Sequence, residues 1–570
     1  MIISNFLVGF IEDNMGFFVI STLVSRLPGC TDYIGFPTGY CFGSLINNQP
    51  VISILSYVLA RLSNPVAAYN LIVLGGMALN YFFSFRFFKK IFGRFIALLL
   101  ATVFIANPYL AYQSRSHFDL MQFWPVIWFL DTLFFSKSAH KNIYLGLLLT
   151  LLMGLSNYLC YFTVLFAAIY LVFKLLLSKS KISDVKSYWR GVVKTLAVFI
   201  LLSSTFIAPY VKSNFFSTRI RIEENINGVA VNRPFEDFIV FSSRPWYYLL
   251  PSVDNPFFGE LSQKFLNQLS SGRNYLTQNY FKAEHSASYL GWMNLILALV
   301  GVVWLFRAKR EISQINYPAL LITIIGLIIL TMPPSITLKG VTIYTPSNIL
   351  FKIFPMFRVL ARAGVLILFL TLIFTGYGYR LLINLSINRK MKRKAAQLVL
   401  SVMALFSISE FFIPLKITHV GTPPKVYTYL GATEQLKAPI VVYPYNKTNE
   451  VLFWTNIYKQ PLINPHFYEN KETGFISTDF TNLLKSSDGL EKAHNMGAKY
   501  LVYFYGDDAT QSMNFFNQSQ YLIKIDNFKE ENQGERQITI SPIEPLTFTF
   551  IRIVEAGTAE SNSAVLYKFR

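Results

Sequence analysis

A few charged side chains stand at the edges of long apolar runs, and their chemical types suit catalysis and binding. Glu12, Asp13 and Asn14 follow a short apolar segment, and Arg358 and Arg362 precede a long one. A carboxylate at such a boundary can act as a base toward a hydroxyl group. Guanidinium groups match the geometry of phosphate and stay charged at any working pH. These positions therefore indicate a proton acceptor, Asp13 or Glu12, and a phosphate-binding pair.

Structural roles remain open for the same residues. Asp13 and Asn14 are of the types that cap the first turn of a helix, and an amphipathic stretch follows them. Arg358 and Arg362 are four residues apart, so they share a face if the segment is helical. Their long side chains also suit an interfacial anchor that reaches lipid headgroups. A functional and a structural interpretation thus both fit each group.

A second set of candidates lies in short polar segments. Arg115, His117 and Asp119 crowd one short turn, and Asp254 stands in the segment PSVDNP. We predict that these four residues contact a substrate. For the first three the alternative is an ordinary solvated turn. For Asp254 it is a turn-forming role, because Asp before Asn-Pro favours a turn.

Little in the sequence supports a metal or nucleotide site. The six histidines are scattered, without an HxxxH or HExxH spacing, and there is no Walker A or GxGxxG pattern. A divalent cation shared by Asp13, Asp119 and a phosphate stays open, but nothing requires it, so no cofactor is predicted. Cys30 and Cys41 lie ten residues or so apart in one polar segment and could form a disulfide.

The elements that must position these residues are membrane helices. Of the 570 residues 53% are hydrophobic and only 14% are charged, with a mean hydropathy of +0.40. Soluble domains contain about 25% charged residues. The net charge of +20 does not indicate a nucleic-acid partner, because the basic residues lie between apolar runs rather than along one face. Ten runs are close to the length of a membrane span: 65–88, 95–112, 120–135, 143–154, 158–177, 192–209, 290–306, 318–332, 365–382 and 396–415.

Loop charge predicts the orientation of these spans. Lys and Arg concentrate in alternate short loops, which the positive-inside rule places in the cytoplasm. The long segments 1–64, 210–289, 333–364 and 416–570 are then outside. The segment 1–10 is too short to span and lacks the marks of a signal peptide. We therefore expect it to be the end of a transmembrane helix whose beginning is missing.

The predicted organisation has three parts. Residues 1–64 form an outer loop with amphipathic helices, one of them over 51–62. Residues 65–415 form an all-α transmembrane domain of about ten helices with outer loops 210–289 and 333–364, and the aromatic segment 241–259 is expected to rest on the headgroup region. Residues 416–570 form a small extracytoplasmic α/β domain, with strands expected at 439–445, 499–504, 521–525, 548–554 and 564–569.

Several stretches resemble a known group of membrane proteins. They are NPVAAYNLIVLGG (64–76), NPYLAYQSRSHFDLMQFWPVIW (107–128), YYLLPSVDNPFFG (247–259), SYLGWMNLILALVG (288–301) and FPMFRVLARAGVLILF (354–369). In this order they resemble bacterial polytopic glycosyltransferases of the type C (GT-C) fold, related to lipid A and cell-envelope glycosylation. VVYPYN (441–446) and MGAKYLVYF (496–504) are similar to the outer domain of that group.

The resemblance implies a function. Such enzymes usually take sugar from a polyprenyl-phosphate donor, with a carboxylate of the first outer loop as base, and Asp13 matches it by position. The implied partners are that donor, membrane lipids and a glycan, lipid or protein acceptor. The implied location is the plasma (inner) membrane. A transporter or flippase is the alternative, as is a non-catalytic assembly protein. Because the span interiors carry almost no charge, chemistry at the outer rim is favoured over passage through the middle.

Overall fold

The computed structural model describes most of the chain. The described ranges are 6–8, 30–31, 33–37, 39–41, 49–177, 182–211, 235–270, 280–308, 315–338, 341–388, 393–419, 423–433, 438–444, 448–464, 484–504, 509–529, 537–543, 546–555 and 563–570. Glu12 and Asp13, the predicted base, lie outside these ranges. The chain divides into two compact units: a helical unit of 73–218 and 231–414, and a terminal unit of 1–72, 219–230 and 415–570.

The described elements are mostly helical. The helices are α1 Pro50–Leu62, α2 Pro65–Phe92, α3 Arg94–Ile105, α4 Pro108–Ser116, α5 Trp124–Phe135, α6 Lys141–Leu155, α7 Asn157–Leu177, α8 Ile182–Val211, α9 Phe235–Val240, α10 Gly259–Ser270, α11 Lys282–His285, α12 Trp292–Ala308, α13 Tyr317–Thr331, α14 Ser347–Ile353, α15 Gly364–Asn388, α16 Arg393–Phe411, α17 Lys425–Thr433, α18 Thr448–Phe453, α19 Thr455–Tyr458, α20 Ser487–Asn495 and α21 Ala509–Gln518. Short 3₁₀ turns cover Pro245–Tyr248, Ser286–Ser288 and Leu360–Ala363.

Every one of the ten apolar runs contains a helix, but fewer helices meet the length and composition of a membrane span. Within the described ranges, four segments do so: Pro65–Phe92, Asn157–Leu177, Lys282–Arg307 and Leu360–Leu385. A fifth would be the pair α3 and α4, which is bent by 49°. The number ten therefore remains a prediction.

Asparagine caps begin several of the helices. The Asn64 side chain accepts a hydrogen bond from the Ala67 amide at 2.8 Å, just before Pro65 opens α2. Asn107 accepts from the Leu110 amide at 3.1 Å, and Pro108 opens α4. An asparagine cap followed by proline satisfies a free amide and fixes the first helical φ angle. This cap is why α4 starts as a new helix, turned away from α3.

Helix α15 is the core of the helical unit. The most apolar stretch of Leu360–Leu385, the segment that contains most of this helix, is buried along its whole length. Nothing in the sequence distinguishes it from the other apolar runs as the central one. Glycines let α12 approach it closely. A Cβ on Gly301 would lie 2.1 Å from the Phe374 carbonyl oxygen, and one on Gly378 would lie 2.2 Å from the Leu297 carbonyl oxygen. Small residues of this kind let membrane helices pack backbone to backbone.

The segment 241–259 packs partly into the helical unit, and the expectation that it rests on the headgroups remains a prediction. Arg244, Tyr247, Tyr248 and Ser252 are all buried. The Asn255 side-chain nitrogen lies 2.7–2.9 Å from three carbonyl oxygens at the end of α16. Such carbonyls have no partner inside their own helix. Asn255 therefore ties the segment to the bundle.

The terminal unit contains two four-stranded sheets. One has the order β1 (Phe6–Val8), β6 (Leu415–His419), β11 (Leu546–Glu555) and β10 (Gln537–Ile543). The other has the order β7 (Ile440–Tyr443), β8 (Tyr500–Phe504), β12 (Ala564–Phe569) and β9 (Leu522–Phe528). In the second, β7 and β8 are parallel and the other pairs antiparallel. Its side chains form a core with α20 and α21, around Leu490, Phe516 and Tyr567.

The first residues differ from the prediction. Phe6–Val8 is a strand that pairs antiparallel with residues 417–419, so the expectation of a transmembrane helix is wrong at these three residues. Two further two-stranded sheets complete the described strands: β2 (Cys30–Thr31) with β3 (Tyr40–Cys41), and β4 (Ser335–Leu338) with β5 (Val341–Tyr344). Cys30 and Cys41 are opposite each other in the register of the first, and their disulfide remains a prediction.

Candidate functional site

The two predicted arginines lie in different surroundings and not on one helix. Arg358 lies in an irregular segment, and Arg362 lies in the 3₁₀ turn Leu360–Ala363 that leads into α15. The expectation that they share a helix face is therefore wrong. The Ala361 amide donates to the Phe241 carbonyl oxygen at 3.1 Å, which fixes this turn against the segment after α9.

Arg362 is buried and paired with the carboxylate of Glu284, which is not among the predicted site residues. Its exposed fraction is 7% and that of Glu284 is 9%. Arg362 Nη2 donates to Glu284 Oε1 at 2.9 Å. The guanidinium also lies 4.9 Å from the centre of the Tyr158 ring at the start of α7. Burying two such charges is costly unless they are paired, so this arrangement depends on both partners.

The short helix α11 carries Glu284 and is held by its neighbour His285. His285 Nδ1 accepts from the Phe281 amide at 2.9 Å, and Nε2 lies 3.1 Å from the Val240 carbonyl oxygen. With both bonds made, Nε2 carries the proton and the imidazole is neutral. Its ring stacks on Tyr247 with centres 4.6 Å apart. His285 therefore positions α11.

Lys282, at the other end of α11, pairs with the predicted Asp254. Lys282 Nζ donates to Asp254 Oδ1 at 2.6 Å, and Tyr112 Oη donates to Asp254 Oδ2 at 2.6 Å. The Tyr112 and Ser252 hydroxyls are 2.9 Å apart. The Lys282 side chain is 53% exposed, so it can be reached from solvent. Asp254 is thus more than a turn former, because it orients an accessible cation.

Arg358 is the second accessible cation. It donates to Asp237 Oδ2, and its guanidinium lies 5.1 Å from the centre of the Phe241 ring. The Arg358 side chain is 30% exposed. A carboxylate partner in contact with solvent can be exchanged for another anion at small cost.

Only some of the predicted residues in the turn after α4 lie near the pair of Arg362 and Glu284. The charges of Arg362, Glu284 and Asp119 all act on the Tyr109 hydroxyl, so Asp119 lies near the buried pair. His117 is half-buried, and its backbone hydrogen bonds to Gln113 and Leu120 close the turn. The side chain of Arg115 lies outside the described part of the structure. Substrate contacts of His117 and Arg115 remain predictions.

These contacts define one group of side chains, which we call the charged cluster: Asp237, Asp254, Lys282, Glu284, Arg358 and Arg362. Three carboxylates balance three cations. Burial raises the pKa of Tyr247 to about 12 and also raises the pKa of Tyr280, so these hydroxyls stay protonated at ordinary pH. The cluster can bind an anion at its exposed cations and hydrogen-bond a polar group at its buried side.

No residue in the described ranges belongs to a group of three or more His, Cys, Asp and Glu side chains placed to hold a metal. A cation that uses Asp13 lies beyond those ranges and stays open.

Sequence reasoning missed Asp237, Lys282 and Glu284. Glu284 lies 78 residues before Arg362, and no spacing rule connects the two. One signal was available: an arginine just before a long apolar run must find a carboxylate if it is buried. KAEH at 282–285, close before another apolar run, was the natural place to look.

No protein-family model matches the sequence, and no curated protein matches it significantly. Solved structures do match. Arabinofuranosyltransferase AftD from mycobacteria aligns with a TM-score of 0.51 and 11% identity over 97% of this chain and 39% of that one. A variant of AftD gives 0.55 and 11% over 99% and 40%. ArnT from Cupriavidus metallidurans, bound to undecaprenyl phosphate, gives 0.42 and 10% over 99% and 94%.

The AftD structures establish the fold. The chain spans about two fifths of the length of AftD and has the type C glycosyltransferase fold of that enzyme. The fold expected from the sequence resemblance is confirmed.

Proposed function

We propose that this protein is an integral-membrane glycosyltransferase. It transfers a sugar from a polyprenyl-phosphate-linked donor to a cell-envelope acceptor, which is a glycan, a lipid or a protein. The reaction takes place at the outer face of the plasma (inner) membrane. The type C fold supports this class of protein, and the orientation follows from the positive-inside rule.

The observation that carries the proposal is the charged cluster. Lys282 is exposed and Arg358 is partly exposed, and each is held by a carboxylate that an incoming phosphate can replace. The adjoining pair of Arg362 and Glu284 is buried. An accessible cationic rim beside a buried polar site suits a lipid donor whose phosphate stays near the membrane surface and whose sugar reaches inward.

The proposed reaction is a displacement at the anomeric carbon. The acceptor oxygen forms a bond to that carbon while the bond from the carbon to the phosphate oxygen breaks. The electron pair leaves with the polyprenyl phosphate, and Lys282 and Arg358 stabilise its added charge. Asp13 takes the proton of the acceptor hydroxyl, with Glu12 as the second candidate. One base is enough for such a step.

Purified full-length protein in lipid nanodiscs provides the test. It is incubated with a panel of polyprenyl-phosphate pentoses and hexoses together with cell-envelope glycan, lipid and protein acceptors. Release of polyprenyl phosphate is measured for wild type, Asp13→Asn and Arg358→Gln. We expect Asp13→Asn to lower the rate at least about 100-fold, the usual contribution of a general base. Arg358→Gln should lower it about tenfold, the loss of one charge-assisted hydrogen bond.

Arg86→Gln is the matched control. Arg86 is an exposed arginine that lies 3.6 Å from Asp131, and Lys90 keeps that carboxylate paired without it. It should leave the rate unchanged. An unaffected Asp13→Asn protein would transfer the base role to Glu12 or Asp119. Absence of release with every donor, from protein that stays folded, would contradict the proposed function and favour a transport or assembly role.

A further inference from the structure

The buried side of the charged cluster has hydrogen-bonding capacity that the protein does not use. Arg362 Nε and the Tyr161 hydroxyl are buried and have no hydrogen-bond partner within the described part of the chain. Buried polar groups in folded proteins nearly always have a partner, so each such group needs an explanation. Leaving one unsatisfied costs about 1–3 kcal/mol. Two such groups connected through aromatic contacts point to a missing ligand.

Aromatic contacts connect these two groups. The Arg362 guanidinium lies 4.9 Å from the centre of the Tyr158 ring. The centres of the Tyr158 and Phe357 rings are 5.2 Å apart in an edge-on contact, and those of the stacked Tyr161 and Phe357 rings are 4.3 Å apart. Tyr158 and Tyr161 are three residues apart near the start of α7, so they are neighbours on its surface. The unused donors therefore border one aromatic group, and Tyr158 is partly exposed and gives access to it.

The charge of the site selects the kind of ligand. The Arg362 cation is already neutralised by Glu284 at 2.9 Å, and both side chains are buried. A phosphate brought to the free Nε would meet the Glu284 carboxylate in a poorly solvated place, where like charges repel strongly. An uncharged group with several hydroxyls meets no such repulsion. It can use Nε, the Tyr161 hydroxyl and the aromatic faces together.

We propose that Arg362, Tyr161 and Tyr158 form the subsite for the sugar of the donor, whereas its phosphate stays at Arg358 and Lys282. This proposal rests on the proposed function. It assigns Arg362 to the neutral part of the substrate and makes Tyr161 a residue that determines sugar specificity. Glu284 keeps Arg362 in place and blocks a phosphate from entering.

Binding to two lipids separates the sugar from the phosphate. Wild type and Tyr161→Phe are compared in nanodiscs by titration with undecaprenyl phosphate and with the undecaprenyl-phosphate sugar that the transfer panel shows to be turned over fastest. Tyr161→Phe removes one hydroxyl and keeps the ring. We expect the affinity for the sugar-bearing lipid to fall about fivefold, the value of one hydrogen bond, and the affinity for undecaprenyl phosphate to stay unchanged.

Two further variants sharpen the result. Tyr379→Phe removes another buried hydroxyl, about 25 Å along α15 from Arg362, and should change neither affinity. Arg358→Gln should weaken both lipids by the same factor. The subsite is wrong if Tyr161→Phe leaves the sugar-bearing lipid unaffected, if it weakens both lipids equally, or if wild type gains nothing from the sugar. Transfer activity in any of these cases would leave the proposed function standing.

Discussion

In its described ranges the helical unit contains two buried carboxylates paired with cations, and the two pairs differ in the hydrogen-bonding capacity that remains unused. Asp131, near the end of α5, accepts from Lys90 Nζ through both oxygens, at 2.6 and 2.7 Å, and Arg86 lies 3.6 Å away. Its partner Lys90 is 37% exposed. Glu284 pairs instead with an arginine that is itself buried and that keeps one N–H unused.

A buried ion pair is therefore not by itself a sign of function. The Asp131 pair is saturated, and it ties the end of α2 to the end of α5. The Glu284 pair is desolvated on both sides, and it still offers a donor beside aromatic rings. Unused hydrogen-bonding groups, rather than burial, distinguish an ion pair in a binding site from one with a purely structural role. Four measurements test this distinction.

Removing one carboxylate from each pair should give the largest difference. Glu284→Ala leaves the Arg362 charge buried without a partner, which we expect to lower the free energy of unfolding by about 3–5 kcal/mol. Asp131→Ala leaves Lys90 half-exposed and able to meet water, so the loss should be about 1 kcal/mol. Thermal unfolding in detergent, followed by tryptophan fluorescence, ranks the two. Equal losses would remove the distinction.

Replacing both partners of each pair by apolar residues separates stability from activity. Arg362→Met with Glu284→Leu leaves no buried charge, so the stability should stay within about 1 kcal/mol of wild type. Sugar transfer should nevertheless fall at least about 100-fold, because the subsite is gone. Lys90→Met with Asp131→Leu is the matched control and should retain both the stability and the rate of sugar transfer of the wild type. Transfer that survives the first replacement would make the Arg362 pair structural.

The glycine contact between α12 and α15 offers a way to disturb one pair without touching it. Glu284 lies shortly before α12, and Arg362 lies directly before α15. Gly378→Ala would push the Leu297 backbone away, and we expect about 2 kcal/mol of destabilisation together with slower transfer. Gly326→Ala is the control, because its nearest atom would be Ile169 Cγ2 at 3.7 Å. Indistinguishable melting curves would contradict the close packing.

The exposed pair of Lys282 and Asp254 should contribute least to stability. Lys282→Gln is expected to change the free energy of unfolding by less than about 1 kcal/mol, because the lysine is more than half in solvent. Its effect should be on donor affinity instead, measured by titration with undecaprenyl phosphate at low and high salt. A large loss of stability with unchanged affinity would assign Lys282 to the fold.

Much of the architecture could be predicted from local patterns. All ten apolar runs contain helices, and α1 and the five expected strands of the terminal unit are confirmed. The strand β10 was not predicted. It contains Pro542 and lies at the edge of its sheet, where proline is tolerated. Local patterns thus predict most elements well, but they predict edge strands of a sheet less well.

The site could be predicted only in part. Arg358, Arg362, Asp119 and Asp254 lie near or in the charged cluster, because charged residues beside apolar runs are conspicuous in a sequence. Their partners were not found, since Glu284 and Asp237 reach them through the packing of distant segments. The prediction that the two arginines share a helix face was wrong for the same reason. Tertiary contacts determine the backbone conformation of this segment, and it is not an α-helix.

The strand β1 has a consequence for the order in which the protein is built. Phe6–Val8 pairs with residues that come about 400 positions later in the chain, and β11 joins the same sheet later still. The ribosome therefore makes the entire helical unit before β1 has any strand to pair with. Closing a loop of that length costs only a few kcal/mol, because the entropy grows with the logarithm of length. The order of synthesis, rather than the free energy of loop closure, therefore determines when β1 can pair. This sheet is completed only after every helix of the bundle has been made.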